Sequence, residues 1–242
     1  MNEVVRQLKA RKSVRVFTDE KISEDIKREI INAACQAPTA GNQQLYTILN
    51  ITDQRIKDEL VKTCDNQPFI ATASMVLIFC ADVQRWYDIY IEGGAEPRKP
   101  GVGDLFLAVS DANIAAQNAV IAAESFGIGS CYIGDIMENC EVHRELLNLP
   151  EYVFPAAMLV FGYPTLQQKE RVKPKRCRIE DIVQENSYKR RDGEALRKMT
   201  EKECSVLSYD EWAKKFCNRK YNSEFSVEMG RSVETYLESY KS

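Results

Sequence analysis

Two basic clusters in this 242-residue chain have the residue types and spacing to hold a phosphate. Arg11, Lys12 and Arg15 surround the hydroxyl of Ser13, and Arg171, Lys173, Lys175, Arg176 and Arg178 gather around Pro174, which stiffens the run. A guanidinium donates parallel hydrogen bonds to an oxyanion and a neighbouring hydroxyl adds another, so the two clusters together suit a grip on one phosphate. Taken singly, each also reads as a solvated basic face.

Two further stretches suit a flat polar ring. In APTAGNQQ, Gly41 allows close backbone approach while Thr39, Asn42, Gln43 and Gln44 carry hydroxyl and amide groups for a heteroaromatic edge. In CYIGD, Gly134 follows an apolar pair and lets a ring lie against the main chain. Each also reads as a plain turn. The single histidine, His143, lies in the helical run NCEVHRELLNLP and reads as a surface residue, so a Ser-His-Asp or Cys-His centre would rest on it alone. A multi-histidine metal site is excluded, and no metal is expected. The eight cysteines form no CxxC pair and read as reduced, mostly buried thiols.

The elements that must position these residues alternate. A basic amphipathic opening runs from Val4 to Arg11, and the segment TDEKISEDIKREIINAACQAPT predicts a helix capped near Ser23 and ended by Pro38. LYTILNIT predicts a strand, DQRIKDELVKTC a helix, and SMVLIFCAD a strand buried on both faces. Ile91 to Gly103 reads as a loop or lid. From Asp104 to Phe126 an alanine-rich helix is apolar all round and is expected to be buried, with Ser110, Gln117 and Glu124 as a polar seam or a ligand stripe. GIGSCYIGD reads as a glycine-punctuated strand or turn, and PEYVFPAAMLVFGYP as a strand closed by Pro164. The rest, from Lys189, looks helical in pieces.

With 44% hydrophobic residues the chain can bury a real core, and no linker cuts it. It reads as a single domain over residues 1–242 with a helical extension from about 189 to 242. A net charge of -3 argues against a broad nucleic-acid-binding surface. Neither a signal peptide nor a membrane-length apolar run is visible, so a cytoplasmic protein is expected.

Taken in order, RKSVRVF, INAACQAPTAGNQQ, AAQNAVIAAESFGIGSCYIGDI, LVFGYP, KPKR and IVQENSY resemble the FMN-dependent nitroreductase family. More narrowly they are similar to the branch of oxygen-insensitive NADPH nitroreductases and NADPH-dependent flavin reductases, from about the first helix to Tyr188. The resemblance implies an α+β (mixed α/β) fold, with a central mixed antiparallel sheet flanked by helices, assembled as an intertwined homodimer with FMN at the interface. It implies that Arg11, Lys12, Ser13 and Arg15 meet the FMN phosphate and ribityl chain, with Arg176 and either Lys173 or Lys175 closing from the other end. Gln67 matches a ribityl or pyrimidine contact. Thr39, Ala40, Gly41, Asn42 and Gln43 match a loop that reaches the flavin across the interface, and Tyr132, Ile133 and Gly134 match the segment on its other face.

The implied activity is hydride transfer from NADPH or NADH through FMN to a nitroaromatic, a quinone or free flavin, by a ping-pong mechanism. The flavin would carry the chemistry, so no catalytic side chain is named. Arg219 and Lys220 are candidates for the 2'-phosphate of NADPH, or a solvated helix end. Asp135 stands where a second glycine is common. With the 91–103 loop, it leaves open an offshoot with other flavin chemistry, such as a dehydrogenase, a dehalogenase or a flavin-cleaving enzyme. A non-catalytic FMN-binding protein is the remaining alternative.

Overall fold

The computed structural model describes residues 1–200 and 207–241. Cys204, and part of the stretch expected to be helical in pieces, lie outside the described residues. Four strands, β1 (Tyr46–Asn50), β2 (Met75–Asp82), β3 (Gly129–Ile133) and β4 (Val153–Gly162), pair antiparallel in the order β1-β2-β4-β3. Successive strand side chains point to opposite faces. Thus Leu77, Phe79 and Ala81 join Leu159 and Phe161 on one face, while Val76, Ile78 and Cys80 join Met158 and Val160 on the other. Every residue of β2 and β4 is buried, as a strand covered on both sides requires. Phe79 pairs with Ala157 but Cys80 with Pro155, so Ala156 is an extra residue. That bulge accommodates Pro155, which has no N–H to give the ladder.

The sheet belongs to a unit comprising Met1–Val172 and the chain from Glu228 onward. Its helices are α1 (Glu3–Ala10), α2 (Glu24–Cys35), α3 (Gln54–Thr63), α4 (Phe69–Thr72), α5 (Gln84–Glu92), α6 (Val102–Ser125), α7 (Cys140–Leu147) and α8 (Leu166–Glu170). The second unit, Lys173–Val227, holds α9 (Ile179–Ile182), α10 (Gly193–Thr200), α11 (Tyr209–Lys220) and the first turn of α12 (Glu224–Glu238). Within that second unit Trp212 stacks on Phe216, with centroids 5.3 Å apart.

Local rules set the helix ends. Ser23 Oγ accepts from the Ile26 N–H, satisfying one of the first-turn donors of α2. The loop expected over Ile91–Gly103 is shorter: Ile91 and Glu92 finish α5, and α6 already starts at Val102. Arg98 pairs with Asp104 at 2.6 and 2.9 Å, and the same carboxylate accepts the Gly101 N–H at 2.8 Å, which fixes the early start.

On α6, Ala108, Ala112, Ala115, Ala116, Ala119 and Ala123 are fully buried, and Asn118 donates to the Ala33 carbonyl of α2 at 3.2 Å. The helix is not buried all round, however. Phe106, Leu107 and Ile114 are exposed. Ser110 is exposed too and bonds its own helix, so the expected polar seam does not close. Among the described residues α6 is the one helix long and apolar enough to cross a membrane, but its alanine face is part of this core.

Residues 13–17 run along the β3–β4 edge. The Val14 N–H donates to the Ser130 carbonyl at 2.9 Å and the Thr18 N–H to the Tyr163 carbonyl at 2.8 Å. Ser13 bridges Ser130 in parallel and Phe17 bridges Pro164 antiparallel, as isolated bridges outside a sheet whose four strands all pair antiparallel. Two glycines permit this approach: a Cβ on Gly129 would lie 2.6 Å from Val14, and one on Gly162 would lie 2.7 Å from the Phe17 ring.

His143, expected at the surface, is instead fully buried. It shares a face of α7 with Cys140, three residues earlier, which is also buried. Nδ1 lies 2.9 Å from the Ile136 carbonyl and Nε2 lies 2.8 Å from the Thr63 hydroxyl. A carbonyl only accepts, so Nδ1 carries the hydrogen, and in the neutral ring Nε2 accepts from Thr63. Burial holds its pKa below the ordinary value. Of the described cysteines, Cys64, Cys80, Cys131 and Cys140 are buried and Cys35, Cys177 and Cys217 exposed, all as free thiols.

Gly162→Ala is expected to lower unfolding stability by about 1–3 kcal/mol through overpacking on Phe17, read as a fall in urea midpoint. The imidazole of His143, the only one in the chain, is expected to titrate by NMR with a midpoint below about 6.5. The stability this neutral ring contributes is present above that pH and lost as pH falls. A midpoint above 6.5 would contradict the buried, neutral assignment.

Candidate functional site

The extended backbone of residues 13–15 alternates its side chains. Val14 goes into the core, whereas Ser13 and Arg15 point the other way, and Arg15 is exposed. Arg11, at the end of α1, places its guanidinium 6.0 Å from the centroid of the Tyr132 ring. Its Nε and Nη2 are buried and have no hydrogen-bond partner. A desolvated cation with unused donors is costly unless an anion meets it. Cys131 feels the same charges: burial pushes its thiol up, while Arg15 and Arg11 pull it down. Burial likewise pushes the Tyr132 hydroxyl up to about 12. That hydroxyl meets Gln117 of α6 at 3.4 Å.

Lys12 is committed elsewhere. Its ammonium donates to the carbonyl of Lys169 at 2.6 Å and to that of Arg171, while the Arg171 guanidinium reaches back to the Ser13 carbonyl. These bonds tie the strip to the end of α8. Lys173, Lys175 and Arg176 belong to the second unit, in a stretch without regular structure ahead of α9. There Arg178 pairs with Asp181 at 2.8 Å. Arg219 lies 5.2 Å over the Phe216 ring and Lys220 lies 5.5 Å over Phe225.

The loop from Thr39 to Gln44 is wound around Asp111, a buried carboxylate on α6. Asp111 accepts from the Thr39 hydroxyl, from the Ala40 N–H at 3.3 Å and from the Leu45 N–H at 3.2 Å. The Thr39 oxygen in turn accepts the Gln44 N–H at 2.9 Å. Thr39 therefore faces inward and organises the loop, where a ring contact was expected. Gly41, Asn42 and Gln44 all have positive φ, so the turn is tight and relies on glycine and asparagine. Gln43 gives its carbonyl to Trp86 Nε1 at 2.6 Å and its amide to the Tyr90 hydroxyl at 3.1 Å. Gln43, Trp86, Tyr87, Tyr90, Pro97 and Leu107 line a cavity of about 390 Å³. Sequence reasoning missed Asp111, although an aspartate amid buried alanines is a signal, because a buried carboxylate must find donors.

Gln67 meets Asp135, the residue after Gly134, just past the end of β3. Asp65 and Asn66 both adopt left-handed backbone, φ 56° and 49°, and so present Gln67. Its Nε2 donates to the Cys64 carbonyl at 2.9 Å and to Asp135 Oδ2 at 2.7 Å. Ile133 is buried in the core, whereas Gly134 is exposed with ordinary φ, -79°. A Cβ there would find its nearest atoms 3.9 and 4.0 Å away, so nothing in the chain's own packing demands glycine. Four residues of β3, roughly 13 Å at strand rise, separate Ser130, against the Ser13 strip, from Gly134. The candidate site thus follows β3: the Ser13 strip at one end, Arg11 with two orphaned nitrogens over Tyr132, and the bare main chain of Gly134 at the other end.

The family model described as "Nitroreductase family" matches residues 8–163. The chain is 31% identical to the FMN reductase [NAD(P)H] of Bacillus subtilis, over 98% of this chain and 92% of that one. It is 34% identical to the oxygen-insensitive NADPH nitroreductase of Salmonella typhimurium, over 83% and 81% of the two chains. The solved structure of NfrA2 from B. megaterium superposes with a TM-score of 0.84 at 29% identity, covering 99% of this chain and 98% of that one. With the matched span running from α1 to the end of β4, the chain belongs to the Nitroreductase family.

Proposed function

We propose that this protein binds FMN along β3 and is an NAD(P)H-dependent oxidoreductase that reduces nitroaromatics, quinones or free flavin. The observation that carries this reading is the pair of buried Arg11 nitrogens, Nε and Nη2, that have no hydrogen-bond partner, close in sequence to Ser13 and Arg15; together they fit a phosphate dianion. Gly134 fits the reading too, since a flat ring against its main chain is what a Cβ would obstruct. Bound FMN would supply the hydride chemistry; the chain binds and orients it, and no side chain needs to act as a nucleophile. In this assignment Arg11, Ser13 and Arg15 hold the phosphate, Gln67 meets the ring edge, and Tyr132 and Gly134 bound one face. The FMN and NAD(P)H named in the relatives support the cofactor and the donor.

A homodimer is part of the proposal. Val4, Val5 and Leu8 on α1 and Phe106, Leu107 and Ile114 on α6 are exposed apolar side chains, the kind a partner protomer covers. The 39–44 loop, closed on itself by Asp111, would then reach the partner's flavin through Gly41 and Asn42. Lys173, Lys175 and Arg176 remain proposed phosphate partners, Arg219 and Lys220 proposed NADPH contacts, and a cytoplasmic location the expectation.

The test is the visible spectrum of the purified protein, recorded anaerobically before and after NADPH or NADH. A flavin spectrum bleached by a donor is expected, with parallel initial-rate lines when acceptor concentration is varied. A colourless protein that refuses added FMN would defeat the proposal. Arg11→Ala is expected to weaken FMN binding roughly ten- to a hundredfold, yet leave the apoprotein at least as stable, because it removes an unpaired buried charge. Gly134→Ala is expected to keep folding stability within about 1 kcal/mol while lowering flavin retention, measured by ultrafiltration.

A further inference from the structure

Asp135 and Glu138 bracket the short 3-10 turn Asp135–Met137, which is closed by the Glu138 N–H donating to the Asp135 carbonyl at 3.0 Å. Side chains three apart on such a turn eclipse one another, which brings the two carboxyl groups together. Asp135 accepts from the Gln67 amide through Oδ2. Glu138 is 5% exposed, and its Oε1 is buried with no donor aimed at it. Two facing carboxylates have only acceptors to offer; one proton between them turns a repulsion into a hydrogen bond.

We propose that the buried Glu138 keeps a proton that it donates to Asp135, and that this pair locks the Gln67 amide with its carbonyl oxygen free for an N–H donor on the ligand. The surroundings leave no other home for the proton. Glu228 of α12 is held ionised, down to about 2, by Arg231 and Ser232, and it also accepts the Asn139 N–H at 3.1 Å. Arg231 is shared between Glu228 and Glu141, both at 2.8 Å. His143 is neutral and committed to Ile136 and Thr63, the Cys64 thiol is buried, and Asp65 adds a further negative charge. Burial and then Asp135 push Glu138 up to about 7, in agreement with the geometry. Both hydrogens of Gln67 Nε2 are used, on Cys64 and Asp135, so only Oε1 remains to face outward. A ligand that meets it must donate, as the pyrimidine N3–H of a flavin does. Asp135 and Glu138 are thus positioning residues acting through Gln67. This last step rests on the flavin reading; the proton on Glu138 does not.

The test is the side-chain carboxyl 13C spectrum of glutamate-labelled protein across pH, with Glu138 assigned as the signal missing in Glu138→Gln. A midpoint near 7 in the wild type is expected, falling by a unit or more in Asp135→Asn, whose amide donates to an ionised Glu138. A wild-type midpoint in the ordinary glutamate range, about 4.3, would overturn the proton on Glu138. FMN affinity tests the orientation: Asp135→Ala is expected to bind three- to tenfold more weakly, and Asp135→Asn, which keeps a carbonyl for Gln67, to bind like the wild type. Equal affinity of Asp135→Ala and wild type would overturn the locked amide. Wild-type protein that takes up no FMN would sink the flavin reading, while the titration would still decide the proton.

Discussion

The hydrogen bond from the Val14 N–H to the Ser130 carbonyl is the join on which the site depends. It lays an extended strip beside β3, and parity then does the sorting: Val14 into the core, Ser13 and Arg15 away from it. Neither side of that join tolerates bulk. Gly129 and Gly162 are required because Val14 and Phe17 lie where their side chains would be, not because the backbone is strained. If the strip moved, Arg11 would lose its place over Tyr132 and the link between α8 and Ser13 would be lost with it.

The polar groups of the core divide into those the fold consumes and those it leaves unmet. Asp111 is consumed: Thr39 and Ala40 of the 39–44 loop and the Leu45 N–H just after it donate to its carboxylate, and the loop's shape is the result. His143 is consumed as well, pinning the turn after Gly134 to the end of α3. The unmet donors of Arg11 belong to the other kind. Burial without hydrogen-bond partners is costly for a guanidinium nitrogen, and these two are what the proposed phosphate would meet.

Much of this was legible in the chain. The buried strands β2 and β4 announced themselves as continuous apolar runs, α2 by its Ser23 cap, and the basic residues at 11 and 15 by their spacing about a serine. Other features were hidden for a physical reason. The fate of Lys12 depended on carbonyls more than 150 residues away. That of Thr39 depended on an aspartate 72 residues on. His143 looked like a surface residue because histidine polarity says nothing of whether Thr63 and the Ile136 carbonyl stand ready to satisfy it.

By itself the sequence determined the alternation of elements, the family motifs in their order, and the glycines that permit close approach, since these follow from local sterics and hydrophobic period. Only the tertiary structure decided which polar groups would be spent on the fold and which left without a partner. A hydrogen-bonding side chain has the same chemistry in either role. Its assignment is made by partners that sequence distance conceals and packing brings within 3 Å.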